Sequence, residues 1–269
     1  MNRLGEILHS ARGRRTAVIP YVCAGDPDVT TSAAVIAALR DGGAEIVEIG
    51  MPFSDPVGDG ATIAAAAQRA LQNGVTLSQT LDLCARFAGG PATLLFGYLN
   101  PIARYGVARF AADAARAGVC GVIVADLPYE EAALVRDHLK EHDIALILLV
   151  SPTTPPERAV HIAEASDAFV YVVSRLGVTG AGCEPDIEPL VKRLEMLQAR
   201  TTRPLAVGFG LKDAEHVRLL GAHADAVVVG SALLDRLSGL TGSDAAAAAS
   251  AFFQPLVAAA GAGPKEPFA

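Results

Sequence analysis

The chain has 269 residues, 51% of them apolar, but only 5 Tyr, 9 Phe and no Trp, so its apolar mass is aliphatic. A net charge of −7 argues against a nucleic-acid-binding surface. Four cysteines without a C-x-x-C pair read as reduced thiols, and the charged start Met1–Arg15 lacks the apolar core of a secretion signal, so a cytoplasmic protein is expected.

In chain order, Asn2–Arg12 reads as a helix, and a first apolar run follows at Ala17–Cys23. Further runs recur at Glu45–Ile49, Thr93–Tyr98, Gly121–Ala125, Ala145–Val150, Ala168–Val173, Pro204–Gly208 and Ala226–Gly230. Most are continuously apolar and do not alternate, as in strands buried on both faces. Between them, helical spacing appears at Thr31–Leu39, Val107–Ala117, Glu130–Glu141, Pro156–Ala165, Glu188–Leu197 and Asp213–Leu220. The Ala-rich Ala245–Ala260, interrupted by Gln254 and Pro255, reads as a closing helix and not as a membrane span. Strand then helix, eight times over, predicts an α/β fold: a single (β/α)8 TIM barrel spanning 1–269, with an extra N-terminal helix and a frayed tail at Gly261–Ala269. A doubly wound open sheet uses the same units, but no G-x-G-x-x-G follows the first strand.

Chemistry in such a barrel sits at the C-terminal ends of the strands. The seventh and eighth runs end in Gly208-Phe209-Gly210 and Gly230-Ser231. Glycines there let backbone N–H groups approach a phosphate, and a short helix from Ser231 would add its positive end; alternatively they simply make tight turns. Glu48 interrupts the apolar Ile46-Val47-Glu48-Ile49, where a charge is costly without a task or a partner. It is either catalytic or a structural Glu bonded to a buried donor. Asp55 and Asp59 lie on a Gly/Pro-rich loop, where Asp also shapes turns. None of the four lysines falls inside a strand run, which disfavours Schiff-base chemistry. The six histidines fall on helices or helix ends, and His138 and His142 at i, i+4 find no third ligand, so no metal site is expected. Carboxylates and a tyrosine remain as proton handlers.

Several motifs, from about Ile7 to Leu256, resemble the tryptophan synthase alpha subunit family. They are Pro20-Tyr21-Val22-Cys23-Ala24-Gly25-Asp26-Pro27, Glu48-Ile49-Gly50-Met51-Pro52-Phe53-Ser54-Asp55-Pro56, Asn100-Pro101-Ile102, Asp126-Leu127-Pro128, Ser174-Arg175-Leu176-Gly177-Val178-Thr179-Gly180 and Gly208-Phe209-Gly210. The resemblance implies cleavage of indole-3-glycerol phosphate to indole and glyceraldehyde 3-phosphate. It also implies an alpha-beta-beta-alpha assembly with a beta subunit, which alone carries pyridoxal phosphate; this chain is expected to need no cofactor.

By motif, Glu48 resembles the family's catalytic glutamate, Asp59 its catalytic aspartate and Tyr171 the tyrosine that supports the glutamate. Thr179 resembles a threonine that closes over the aspartate. Tyr21, Phe96 and Phe209 match indole-pocket positions, and Gly180, Gly210, Gly230 and Ser231 match phosphate-binding ones. Asp55 and Pro56 fall where the family meets its beta subunit. The chain departs from the family at Ala61 and Ala64, where Pro and Gln are usual, and at Leu176, Gly182, Cys183 and Cys23. All but the last lie in the two loops that close the site and communicate with the partner. A stand-alone lyase that releases free indole and a non-catalytic allosteric partner of the beta subunit are the alternatives.

Overall fold

The computed structural model describes residues 2–174, 187–208 and 210–261. Eight parallel strands close into a barrel in sequence order: β1 (Ala17–Cys23), β2 (Ile46–Gly50), β3 (Ala92–Gly97), β4 (Val119–Val124), β5 (Ala145–Val150), β6 (Val170–Val173), β7 (Leu205–Gly208) and β8 (Ala226–Val229). Closure comes from β1 pairing with β8, Ala17 opposite Ala226 and Pro20 opposite Val229. The helices are α1 (Arg3–Ala11), α2 (Val29–Asp41), α3 (Ala61–Gln72), α4 (Leu77–Ala85), α5 (Leu99–Tyr105), α6 (Val107–Arg116), α7 (Ala133–Lys140), α8 (Pro156–Ala165), α9 (Ile187–Gln198), α10 (Ala214–Gly221), α11 (Ser231–Leu237) and α12 (Gly242–Ala260).

Continuous apolarity in the strands has a direct cause. Alternate side chains face two different cores. Val18, Val22, Val47, Ile49, Val122, Leu146, Val170 and Val207 point outward into the layer shared with the helices. Ile19, Ile46, Leu94, Ile123, Ile147, Phe169 and Val228 point inward and fill the barrel with side chains. Its lower end is sealed by α1, whose Leu4 and Leu8 are fully buried in that inner cluster. Asn2 holds α1 in place: its side chain accepts from Gly5 N–H and donates to the Cys120 carbonyl at 2.7 Å. Gly121 leaves the space Leu4 occupies, since a Cβ there would lie 2.4 Å from Leu4 Cδ1.

The expected architecture and the N-terminal helix are both present, with strand ends displaced by one or two residues. The helix expected at Glu130–Glu141 begins at Ala133, after a 3-10 turn over Tyr129–Glu131. Pro255 sits inside α12 without ending it. Among the described residues no helix is long and apolar enough to cross a membrane. Cys23, Cys84 and Cys120 are free thiols, while Cys183 lies outside the described residues. Most of the tail, 262–269, also lies outside them.

Candidate active site

At the C-terminal mouth of the barrel lies a pocket lined by Tyr21, Glu48, Asp59, Ile63, Phe96, Tyr171, Gly210, Val228, Gly230 and Ser231. Strand pairing delivers the first of these. Glu48 stands between Tyr21 on β1 and Leu94 on β3, and Gly50, two residues on, stands beside Phe96. Tyr21 and Phe96 meet edge to face with centroids 6.2 Å apart. Two glycines let the tyrosines lie inside the mouth. A Cβ on Gly50 would come 2.0 Å from the Tyr21 hydroxyl, and one on Gly208 would come 2.0 Å from the Tyr171 hydroxyl.

Glu48 is 3% exposed, and its Oε2 is buried without a hydrogen-bond partner among the described residues. Burial, with a further contribution from the charge of Asp59, pushes its carboxyl up to about 8. Among the described residues that oxygen is open, whereas a purely structural buried Glu is expected to have both oxygens hydrogen-bonded.

Asp59 is the last loop residue before Gly60, which caps α3, and is 8% exposed. Its Oδ1 accepts the Tyr98 hydroxyl at 3.0 Å, and the same hydroxyl accepts Gly58 N–H at 3.1 Å. Burial raises Asp59 to about 6, and the Tyr98 hydrogen bond opposes that rise. Two acids thus share one cavity but prefer opposite protonation states near neutral pH, the separation that acid–base sites need. Burial foremost, then nearby negative charge, keeps the Tyr21 and Tyr171 phenols protonated well above their ordinary value.

The opposite rim is backbone. Gly210 adopts φ 87°, a left-handed conformation that favours glycine. Gly230 precedes α11, whose first residue is Ser231, and Gly230 passes close to the Tyr21 Cβ. Helix α11 is tied to α3 by the Thr62 hydroxyl, which donates to Asp235 at 3.0 Å. The segment with the Ala61 and Ala64 departures is therefore an ordinary first turn of α3.

Asp55 and Pro56 stand away from the cavity, on the loop after β2. Asp55 is exposed, Pro56 half-buried, and the neighbouring Val57 is 79% exposed. Thr179, Gly180 and Phe209, with Leu176 and Gly182, lie outside the described residues. Among the described residues no group of three or more His, Cys, Asp or Glu could hold a metal ion.

Sequence reasoning did not single out Ile63 and Val228, which add apolar wall. Tyr98, at the end of the third apolar run, falls among the strand-end residues where chemistry is expected, but the motifs assign it no role.

A profile of the tryptophan synthase alpha chain family matches residues 8–259. The chain is 45% identical to a tryptophan synthase alpha chain of Alkalilimnicola ehrlichii, covering 90% of this chain and 89% of that one. It is 48% identical to the alpha chain of Acidiphilium cryptum, over 83% of this chain and 82% of that one. Among solved structures, a tryptophan synthase of Mycobacterium tuberculosis superposes with a TM-score of 0.89 at 37% identity, covering 97% of this chain and 99% of that one.

Proposed function

The chain belongs to the tryptophan synthase alpha chain family, and from that premise we propose that Glu48 and Asp59 together carry out the family's reaction, the retro-aldol cleavage of indole-3-glycerol phosphate. The carrying observation is a buried Glu48 carboxyl, one oxygen of it unpartnered among the described residues, in the same cavity as Asp59 and facing a glycine rim.

Near pH 7 Glu48 holds its proton and Asp59 does not. Glu48 delivers that proton to indole C3, which breaks the ring's aromaticity and leaves positive charge on the ring nitrogen. The Asp59 carboxylate stabilises that charge from the N–H side. The Glu48 carboxylate then takes the proton of the side-chain hydroxyl. The C3–C bond breaks, its electron pair restores the indole, and the former carbinol leaves as an aldehyde. Glu48 ends the cycle protonated. Tyr21 and Phe96, with Ile63 and Val228, supply apolar walls suited to indole, and Phe209 belongs to the same subsite by motif. Tyr171 supports Glu48, and by motif alone Thr179 is assigned to the same site as Asp59. The phosphate is held by backbone N–H groups at Gly210 and Gly230 and by Ser231, with the start of α11 favouring the dianion; Gly180 belongs to the same subsite by motif alone.

The partner is a beta subunit in an alpha-beta-beta-alpha assembly, which docks on the exposed loop with Asp55 and Pro56 and holds the pyridoxal phosphate. The chemistry assigned to this chain needs only its own side chains, and its place is the cytoplasm.

Indole release from indole-3-glycerol phosphate, measured with and without a beta subunit, tests this reading. Cleavage strongly enhanced by the partner is expected. Binding without cleavage would point to a non-catalytic partner, and full activity alone to a stand-alone lyase. The pH profile is a second test. Below about 6 Asp59 becomes neutral, and above about 8 Glu48 loses the proton it must give, so kcat/KM of the free enzyme should be bell-shaped with limbs near those values. Gly208→Ala should drive the Tyr171 ring out of place, lowering kcat/KM about ten- to a hundredfold and stability by about 1–3 kcal/mol by chemical denaturation.

A further inference from the structure

One buried hydroxyl at the mouth has no part in the chemistry above. Tyr98 follows β3 as the residue that caps α5, and it is 2% exposed. Its ring packs on Phe53 with centroids 5.3 Å apart, which fixes where the oxygen sits. That oxygen has a single proton. Because the Gly58 N–H already points at its lone pairs, the proton is directed at Asp59 Oδ1, 3.0 Å away. Gly58 and Asp59 are consecutive, so the two bonds close a small ring that holds the end of the β2 loop against β3. One oxygen of Asp59 is thereby occupied, and no hydrogen bond among the described residues takes the other.

We propose that Tyr98 is a positioning residue for this reaction, clamping Asp59 through its Oδ1 so that the free Oδ2 faces the indole N–H. The proposal rests on the catalytic reading of Asp59. Accepting an N–H strengthens the phenol as a donor, and a donor from a rigid, buried ring orients a carboxylate far better than water would. Among the described residues, the other titratable groups around Asp59 are Glu48 on β2, Tyr21 and Cys23 on β1 and Tyr171 on β6, and Asp126 lies near Tyr98 itself. Chief among the causes that keep the Tyr98 phenol protonated is burial, followed by the charge of Asp59; Asp126 adds to it. The bond to Asp59 therefore survives across the working pH range.

Tyr98→Phe removes one oxygen and is expected to lower kcat about ten- to a hundredfold while KM changes less than about threefold, because the phosphate still anchors the substrate. The acid limb of the pH profile should move to higher pH. The carboxyl carbon of Asp59, followed by 13C NMR, should titrate at higher pH in the same direction. A 3-fluorotyrosine incorporated at position 98, a stronger donor, should move that midpoint downward; opposite shifts from two variants cannot come from general loosening of the fold. In an Asp59→Ala background, Tyr98→Phe should cost nothing further. An unmoved carboxyl midpoint, or a full additional loss in the Asp59→Ala background, would overturn the clamp. The NMR titration needs no turnover. If the wild-type chain released no indole, the catalytic reading would fail while the titration still decided whether Tyr98 holds Asp59.

Discussion

Glu48→Gln is expected to lower kcat for indole release by about 10^2–10^4-fold, with KM nearly unchanged. Gln fills the same space and can still donate a hydrogen bond, but it has no proton to transfer to C3 and no base to receive one. The same substitution should make the protein more stable at alkaline pH. The folded-state carboxyl is raised from 4.5 to about 8, so the folded chain holds its proton more tightly than the unfolded chain does. The stability this gives is fully present below about 4.5 and is lost progressively as pH rises through 8. Gln does not ionise and escapes that loss. A tenfold difference in proton affinity between the folded and unfolded chains corresponds to about 1.4 kcal/mol, so the advantage of the variant should reach a few kcal/mol by about pH 8.5 and be small near pH 4.5. Urea denaturation at the two pH values measures it. Near-normal turnover, or a stability difference that does not grow with pH, would remove Glu48 from the role of proton donor.

That trade of stability for chemistry is why Glu48 was legible in the sequence: an acid inside an apolar strand stands out against its neighbours. The barrel was legible for a related reason, since strands packed on both faces leave unbroken runs such as Ala145–Val150. Asp59 was less visible. From its neighbours alone an Asp beside Gly reads as a turn former, and its burial depends on Tyr98, 39 residues further on. Contacts of that separation leave no periodic trace. Tyr98 itself closes the third apolar run, where its neighbours do not reveal what its hydroxyl meets. The chain starts α5 at Leu99, and Pro101, in the first turn of that helix, loses no hydrogen bond there. The Leu99 N–H is taken up by the Asp126 side chain at 2.7 Å, another distant partner. The glycine rim was visible as composition, but Gly50 and Gly208 gained their meaning only when the register set each against a tyrosine.

Asp59→Asn separates charge from shape. Asn can still accept the Tyr98 hydroxyl and can still accept an indole N–H, so substrate should bind with a KM within a fewfold of the wild type. What it cannot do is offset the positive charge that protonation at C3 places on the ring nitrogen. Two unit charges about 4 Å apart interact by about 4 kcal/mol at an effective dielectric near 20, which corresponds to roughly three powers of ten in kcat. The pH profile should change in a way that a simple loss of stability would not produce. The acid limb near 6 should disappear, because the group that ionises there is gone. The alkaline limb should remain but move below 8, because the charge of Asp59 is one of the two causes that raise Glu48. A variant that keeps the acid limb, or that turns over within tenfold of the wild type, would mean that the ring charge is stabilised by something other than this carboxylate. The pairing of a neutral acid with an ionised one would then have to be rebuilt around a different residue.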